Sequence, residues 1–73
     1  MKTTNEIWFE KEVSQLPEKV AVEVMKCFQI VEEYKLQQSF FDKMHSFHQA
    51  QTAENPAMKF MLAYDETLSF FHL

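Results

Sequence analysis

The sequence predicts an all-α protein: one domain spanning 1-73, a small bundle of three or four short helices that assembles as a homodimer. Three observations carry that expectation. Apolar residues recur at helical three-four spacing in successive segments, with charges on the opposite sides. The punctuation between segments is cap-like or proline, and the chain has no glycine for tight hairpin turns. There are also more apolar positions than one small core can hide, since 47% of the 73 residues are hydrophobic.

The first helix starts at a capping box, Thr3-Thr4-Asn5-Glu6, with Thr3 as N-cap and Glu6 reaching back. It is expected to run to about Gln15. Phe9, Val13 and Leu16 share its buried face, Trp8 lies at the edge, and Ile7 points away. Pro17 breaks the chain, because proline is tolerated at a helix start and not in its interior. The second helix begins there, and Glu18 suits the positive end of its dipole. Val20, Val24, Cys27, Phe28, Val31 and Tyr34 form its apolar face, with Lys26, Gln29, Glu32 and Glu33 opposite.

The pattern changes phase around Leu36-Gln37-Gln38-Ser39. Ser39 as N-cap with Asp42 at N3 places a turn here, although the lack of glycine argues mildly against a sharp one. An unbroken helix serving two partners is the alternative. Phe40, Phe41, Met44, Phe47 and His48 then cluster on one face. Asn55 as N-cap and Pro56 at N1 open the last helix, with Ala57, Phe60, Met61, Tyr64, Leu68 and Phe71 on one side. A hairpin of Phe60–Tyr64 with Leu68–Leu73 competes. It lacks Asn-Gly or Asp-Gly, and a lone ribbon is weak in water.

Composition removes several function classes. A single cysteine excludes an internal disulfide framework. Without glycine there is no P-loop and no GxGxxG turn. The apolar stretches fall far short of the roughly 20 residues that span a bilayer. The opening residues are polar, so the expectation is a cytoplasmic protein with a reduced Cys27 and no membrane association. The formal charge is -4, and all seven basic residues are scattered lysines near acidic neighbours. That makes no phosphate-binding patch, and without arginine no bidentate guanine reader, so no direct nucleic-acid contact is expected. An acidic DNA mimic would need a denser negative surface. Leu16-Pro17-Glu18-Lys19-Val20 with Glu23-Val24 resembles a helix start common in small bacterial helical proteins, and it assigns no family.

Chemistry-bearing patterns are few. Asp42, His45 and His48 lie at i, i+3 and i+6, a spacing that lets both imidazoles approach one metal. Neither HExxH nor a paired ExxH accompanies them, so a solvent-facing His45 with His48 beside the Phe cluster is the expectation, and no metal or other cofactor is assigned. Nothing places Cys27 or His72 near them. Cys27 reads as a buried structural thiol, because Val20, Val24 and Val31 surround it without a cation. Glu32 and Glu33 splay apart on a helix, and the serines form no nucleophile elbow. No enzyme is expected.

What remains is apolar surface. Ile7, Trp8, Val22, Met25, Ile30, Leu36, Met58, Leu62, Phe70 and Leu73 lie off the primary faces. So many on a short chain indicate a second interface, with the homodimer, a larger protein, or both as partner. Trp8, Val22, Met25, Leu36, Phe70 and Phe71 are the candidate partner-binding residues. The function expected is that of a small acidic non-catalytic regulator or inhibitor, of the sort common on phages and mobile elements. The alternative is a metal-binding or metal-responsive helical protein using Asp42, His45 and His48.

Overall fold

The computed structural model describes residues 1–73, which form four helices and no strand: α1 (Thr4–Val13), α2 (Glu18–Glu33), α3 (Gln37–Ala50) and α4 (Pro56–Phe71). They fall into two compact helical hairpins, Met1–Leu36 and Gln37–Leu73.

In the first hairpin, the Thr3 hydroxyl accepts from the Glu6 amide at 3.1 Å and donates to the Glu6 carboxylate at 3.4 Å. This caps α1 where the sequence placed its start. The helix ends at Val13, two residues short of the expected Gln15. There the chain tightens into i→i+3 bonds, from the Gln15 amide to the Glu12 carbonyl and from the Leu16 amide to Val13. Pro17 then adopts an extended backbone as the cap residue of α2, where a missing N–H costs nothing. Its carbonyl accepts the first bond of the helix, from the Ala21 amide at 2.9 Å.

Phe9, Val13 and Leu16 are buried together with Val24, Phe28 and Val31. The Phe9 and Phe28 rings meet at 4.9 Å between centroids and join α1 to α2. Burying each phenylalanine stabilises by about 1.5–3 kcal/mol. Two expectations for α2 need correction. Tyr34 is 69% exposed, because it lies in the turn after the last helical residue rather than on the core face. Cys27 is half-buried and not a fully enclosed thiol, since it sits on the shoulder of the Val24–Phe28–Val31 stripe.

The break between α2 and α3 comes earlier than Ser39. Lys35 takes a left-handed backbone, φ 57°. The Lys35 amide bonds back to the Glu32 carbonyl and the Leu36 amide to the Val31 carbonyl, both at 3.0 Å. This is the Schellman pattern that normally uses glycine. Lysine makes the sharp turn without it, and Ser39 therefore lies inside α3 instead of capping it. The same pattern ends α4, where His72 has φ 59°, its amide bonds Ser69, and the Leu73 amide bonds the Leu68 carbonyl at 2.9 Å.

In the second hairpin, the Asn55 side chain accepts from the Ala57 and Met58 amides at 2.9 and 3.3 Å, with Pro56 following it. Residues from Pro56 to Phe71 are one helix, so the strand alternative is excluded. The pattern here is helical, and no glycine turn competes with it. Phe40, Phe41, Met44, Phe60 and Tyr64 are buried, as the spacing predicts. Ala63 and Thr67 join them, both fully enclosed. The Thr67 hydroxyl is satisfied by the Ala63 carbonyl one turn back, at 2.7 Å.

Candidate functional site

All ten off-face apolar residues stay at least partly in solvent. Ile7, Val22, Ile30, Met58, Leu62, Phe70 and Leu73 are exposed, and Trp8, Met25 and Leu36 are half-buried. The helical phases read from the sequence are therefore correct for these positions, and none of them is absorbed into a core.

A shaped part of this surface lies on the first hairpin. On α2, Glu18, Ala21, Val22, Met25 and Gln29 follow i, i+3, i+4, i+7, i+11 spacing, about a third of a turn from the core stripe. Three open grooves run along that stripe. One of about 550 Å³ lies between the end of α1 and the start of α2, lined by Glu10, Val13, Leu16, Glu18, Ala21 and Met25, among others. A second, about 490 Å³, is lined by Glu18, Lys19, Val22 and Glu23. A third, about 330 Å³, is lined by Glu18, Ala21, Val22, Met25, Lys26 and Gln29.

The grooves share an apolar floor and a mixed-charge rim. At the rim of the first, the Lys2 ammonium donates to the Glu10 carboxylate at 2.7 Å. That hydrogen bond, and secondarily the Glu10 charge, raises the Lys2 pKa above its ordinary 10.5. Val22 and Met25 thus come together as the sequence expected. Trp8 sits half-buried on α1 and Leu36 in the turn after α2, and neither lines these grooves. Ala21 and Glu18 were missed. The signal for them was present, since each falls on the Val22–Met25 stripe, but alanine and glutamate carry little weight in an apolar pattern.

On the second hairpin, Phe70 and Phe71 pack edge to face, 5.0 Å between centroids. Phe70 is 51% exposed, and the Lys43 ammonium from α3 stands 4.2 Å from its ring centre. The ring is held by a cation on one face and is open beside it.

Asp42 is exposed and His45 and His48 are half-buried on α3. No three or more His, Cys, Asp or Glu side chains come together in an arrangement that could hold a metal ion. The spacing that suggested a site does not assemble one, because three ligands on one helix at i, i+3 and i+6 fan over almost two turns. No helix is long and apolar enough to cross a membrane. No known protein family, curated protein or solved structure matches the chain.

Proposed function

We propose that this is a small acidic non-catalytic protein of the cytoplasm that binds another protein through an apolar helix face, as a regulator or inhibitor. Its partner is a second copy, a larger protein, or both. The observation that carries this reading is the α2 stripe. Val22 is 45% exposed and Met25 is half-buried beside it, both over open grooves with charged rims. An apolar centre inside a polar rim is the anatomy of a protein interface, and methionine and aromatic side chains are enriched at such centres.

The experiment separates interface from core. Trp8→Ala and Met25→Asp keep a helical circular-dichroism spectrum and a cooperative melt, yet weaken association with self or partner. At least one costs about 2 kcal/mol or more of binding, on the scale of a hot spot. Val24→Asp and Val31→Asp are the controls, at 1% exposure each, and they lose the fold. Intact folding with unchanged association in both test variants overturns this surface and moves the interface to Phe70 and Phe71.

A further inference from the structure

We infer that the joint Tyr34-Lys35-Leu36 is a two-state hinge, which also closes into helix and fuses α2 and α3 into one rod from Glu18 to Ala50 with each hairpin carried intact. The local chemistry of the joint opposes the turn. Lys35 holds a left-handed backbone, φ 57°, unfavourable for a residue with a Cβ. Helix α2 ends on Glu32 and Glu33 with no base in its last turn, so two carboxylates stand at the negative end of its dipole. Helix α3 begins with no acid in its first turn. Thr3 and Asn55 cap α1 and α4, but the amides of Gln37, Gln38 and Ser39 have no acceptor within the chain. Residues 34–38 are Tyr, Lys, Leu, Gln and Gln, with neither glycine nor proline and mostly good helix formers.

Continuing the helix reverses each of these. Lys35 returns to right-handed backbone, and Glu32 and Glu33 come to lie mid-helix. The three amides gain the carbonyls of Glu33, Tyr34 and Lys35 as acceptors. The closing bonds of the turn, from the Lys35 amide to Glu32 and the Leu36 amide to Val31, are exchanged for i→i−4 bonds and not lost. Both seams survive, because α1 packs on α2 inside one hairpin and α3 on α4 inside the other. At about 100° per residue, the Val24–Phe28–Val31 stripe and the Phe40–Phe41–Met44 cluster fall on roughly opposite sides of the rod. Helices α1 and α4 therefore do not compete for one face. Local signals that contradict the observed state mark a bistable element between two sound ones. A partner that grips both hairpins selects one of the two forms.

Distances between spin labels test the hinge on the full chain. The labels go on Glu23→Cys and Ser46→Cys, both exposed positions, in a Cys27→Ser background. Dilution into unlabelled chain leaves only distances within one molecule. The rod sets the two backbones roughly 35 Å apart at about 1.5 Å per residue, and the turn brings them closer. The native joint gives both distances, with the longer as the minor population. Lys35→Gly relieves the left-handed backbone and is a poor helix former, so the long population falls about tenfold or more. Lys35→Val does the opposite, because a β-branched residue is barely tolerated at positive φ, and the long distance becomes the major one. Hydrogen exchange is the second readout. The amides of Gln37, Gln38 and Ser39 exchange severalfold more slowly in Lys35→Val than in Lys35→Gly, since only the rod gives them acceptors. Circular dichroism and a cooperative melt establish that each variant folds. A folded Lys35→Val chain with the short distance alone, or with the same exchange rates as Lys35→Gly, overturns the hinge. If Lys35→Val does not fold, the native chain decides against Lys35→Gly. A long population that is missing from the native chain, or that is unchanged by glycine, then overturns it.

Discussion

In the second hairpin, five side chains from two facing helices, Phe40, Met44, Phe60, Ala63 and Thr67, are wholly shielded from solvent. In the first, the most buried are Phe9, Val24 and Val31, and α1 and α2 pack less extensively than α3 and α4. Helix length accounts for the contrast. Helices α3 and α4 have 14 and 16 residues and match; α1 has 10 against the 16 of α2. A helix rises about 1.5 Å per residue, so α1 is too short to cover α2 from end to end. Helix α2 also has a second apolar stripe, and one short neighbour cannot bury both. The second hairpin exposes apolar residues too, but Met58 and Leu62 on α4 are followed along the same side by Asp65, Glu66 and Ser69. Exposed apolar surface becomes an interface candidate where it lines a groove, and on α2 the Ala21–Val22–Met25 run, about one turn long between Glu18 and Gln29, does so.

The sharpest way to break this comparison is to damage the better-packed seam. Phe60→Ala should cost about 3–5 kcal/mol, as a fully enclosed aromatic leaves a cavity, and urea unfolding would measure it. Phe28→Ala, at 5% exposure on the less extensively packed pair, should cost less. An equal or larger loss at Phe28 would mean that the first hairpin is as tightly built as the second.

Caps give a smaller test. Asn55→Ala removes an acceptor for two amides and should lose about 1 kcal/mol. Thr3→Ala removes an acceptor for one and should lose less, by thermal melts of both variants. Reversal of that order would show the two helix starts to be differently coupled to their cores.

Lys35→Gly acts at the end of the first hairpin and should stabilise by about 0.5–1 kcal/mol. A left-handed backbone is costly for a residue with a Cβ and free for glycine. Part of that gain is returned through the larger entropy of the unfolded chain. A destabilised variant would mean that the lysine side chain itself holds the turn.

The smallest effect is at Lys2. Its pKa is raised in the folded chain by the hydrogen bond to Glu10, with the Glu10 charge as the lesser cause. The contribution to stability is therefore complete below the ordinary value of 10.5 and is lost as pH rises through the higher folded value. A proton titration of Lys2 by NMR should shift down toward the ordinary midpoint in Glu10→Gln. Because the pair is exposed to water, the melting temperature at neutral pH should hardly move.

Much of the architecture was legible residue by residue. Thr3, Asn55 and Pro56 announced helix starts because capping is local chemistry, settled by side chains within a turn of the site. The centres of the buried faces of α2, α3 and α4 were legible because period fixes them, whereas Val20, Phe47, His48, Ala57, Met61, Leu68 and Phe71, assigned to the same faces, lie at their edges and are half-buried. The end of α2 was not. Schellman closure is a backbone event that any residue can enter at a cost, so Lys35 carried no mark of it, whereas Ser39 looked like a cap and was none. Tyr34 was assigned to the core by spacing, although spacing loses meaning where the helix stops. Thr67 was missed because a hydroxyl reads as polar, and its bond to the Ala63 carbonyl makes burial tolerable. At the candidate surface, Val22 and Met25 were legible by elimination from the core.

The division into two consecutive helical hairpins has a kinetic consequence. The ring contact of Phe9 with Phe28, the stacking of Phe60 on Tyr64 and the closing bonds at Lys35 and His72 all join residues near one another in sequence. Little chain entropy is lost before such contacts begin to stabilise, which places helical proteins of this kind among fast folders, on the order of microseconds to milliseconds. Each hairpin can search for its own seam without waiting for the other. A chain that folds this quickly leaves its core side chains, Phe28 and Phe60 among them, open to wrong neighbours only briefly.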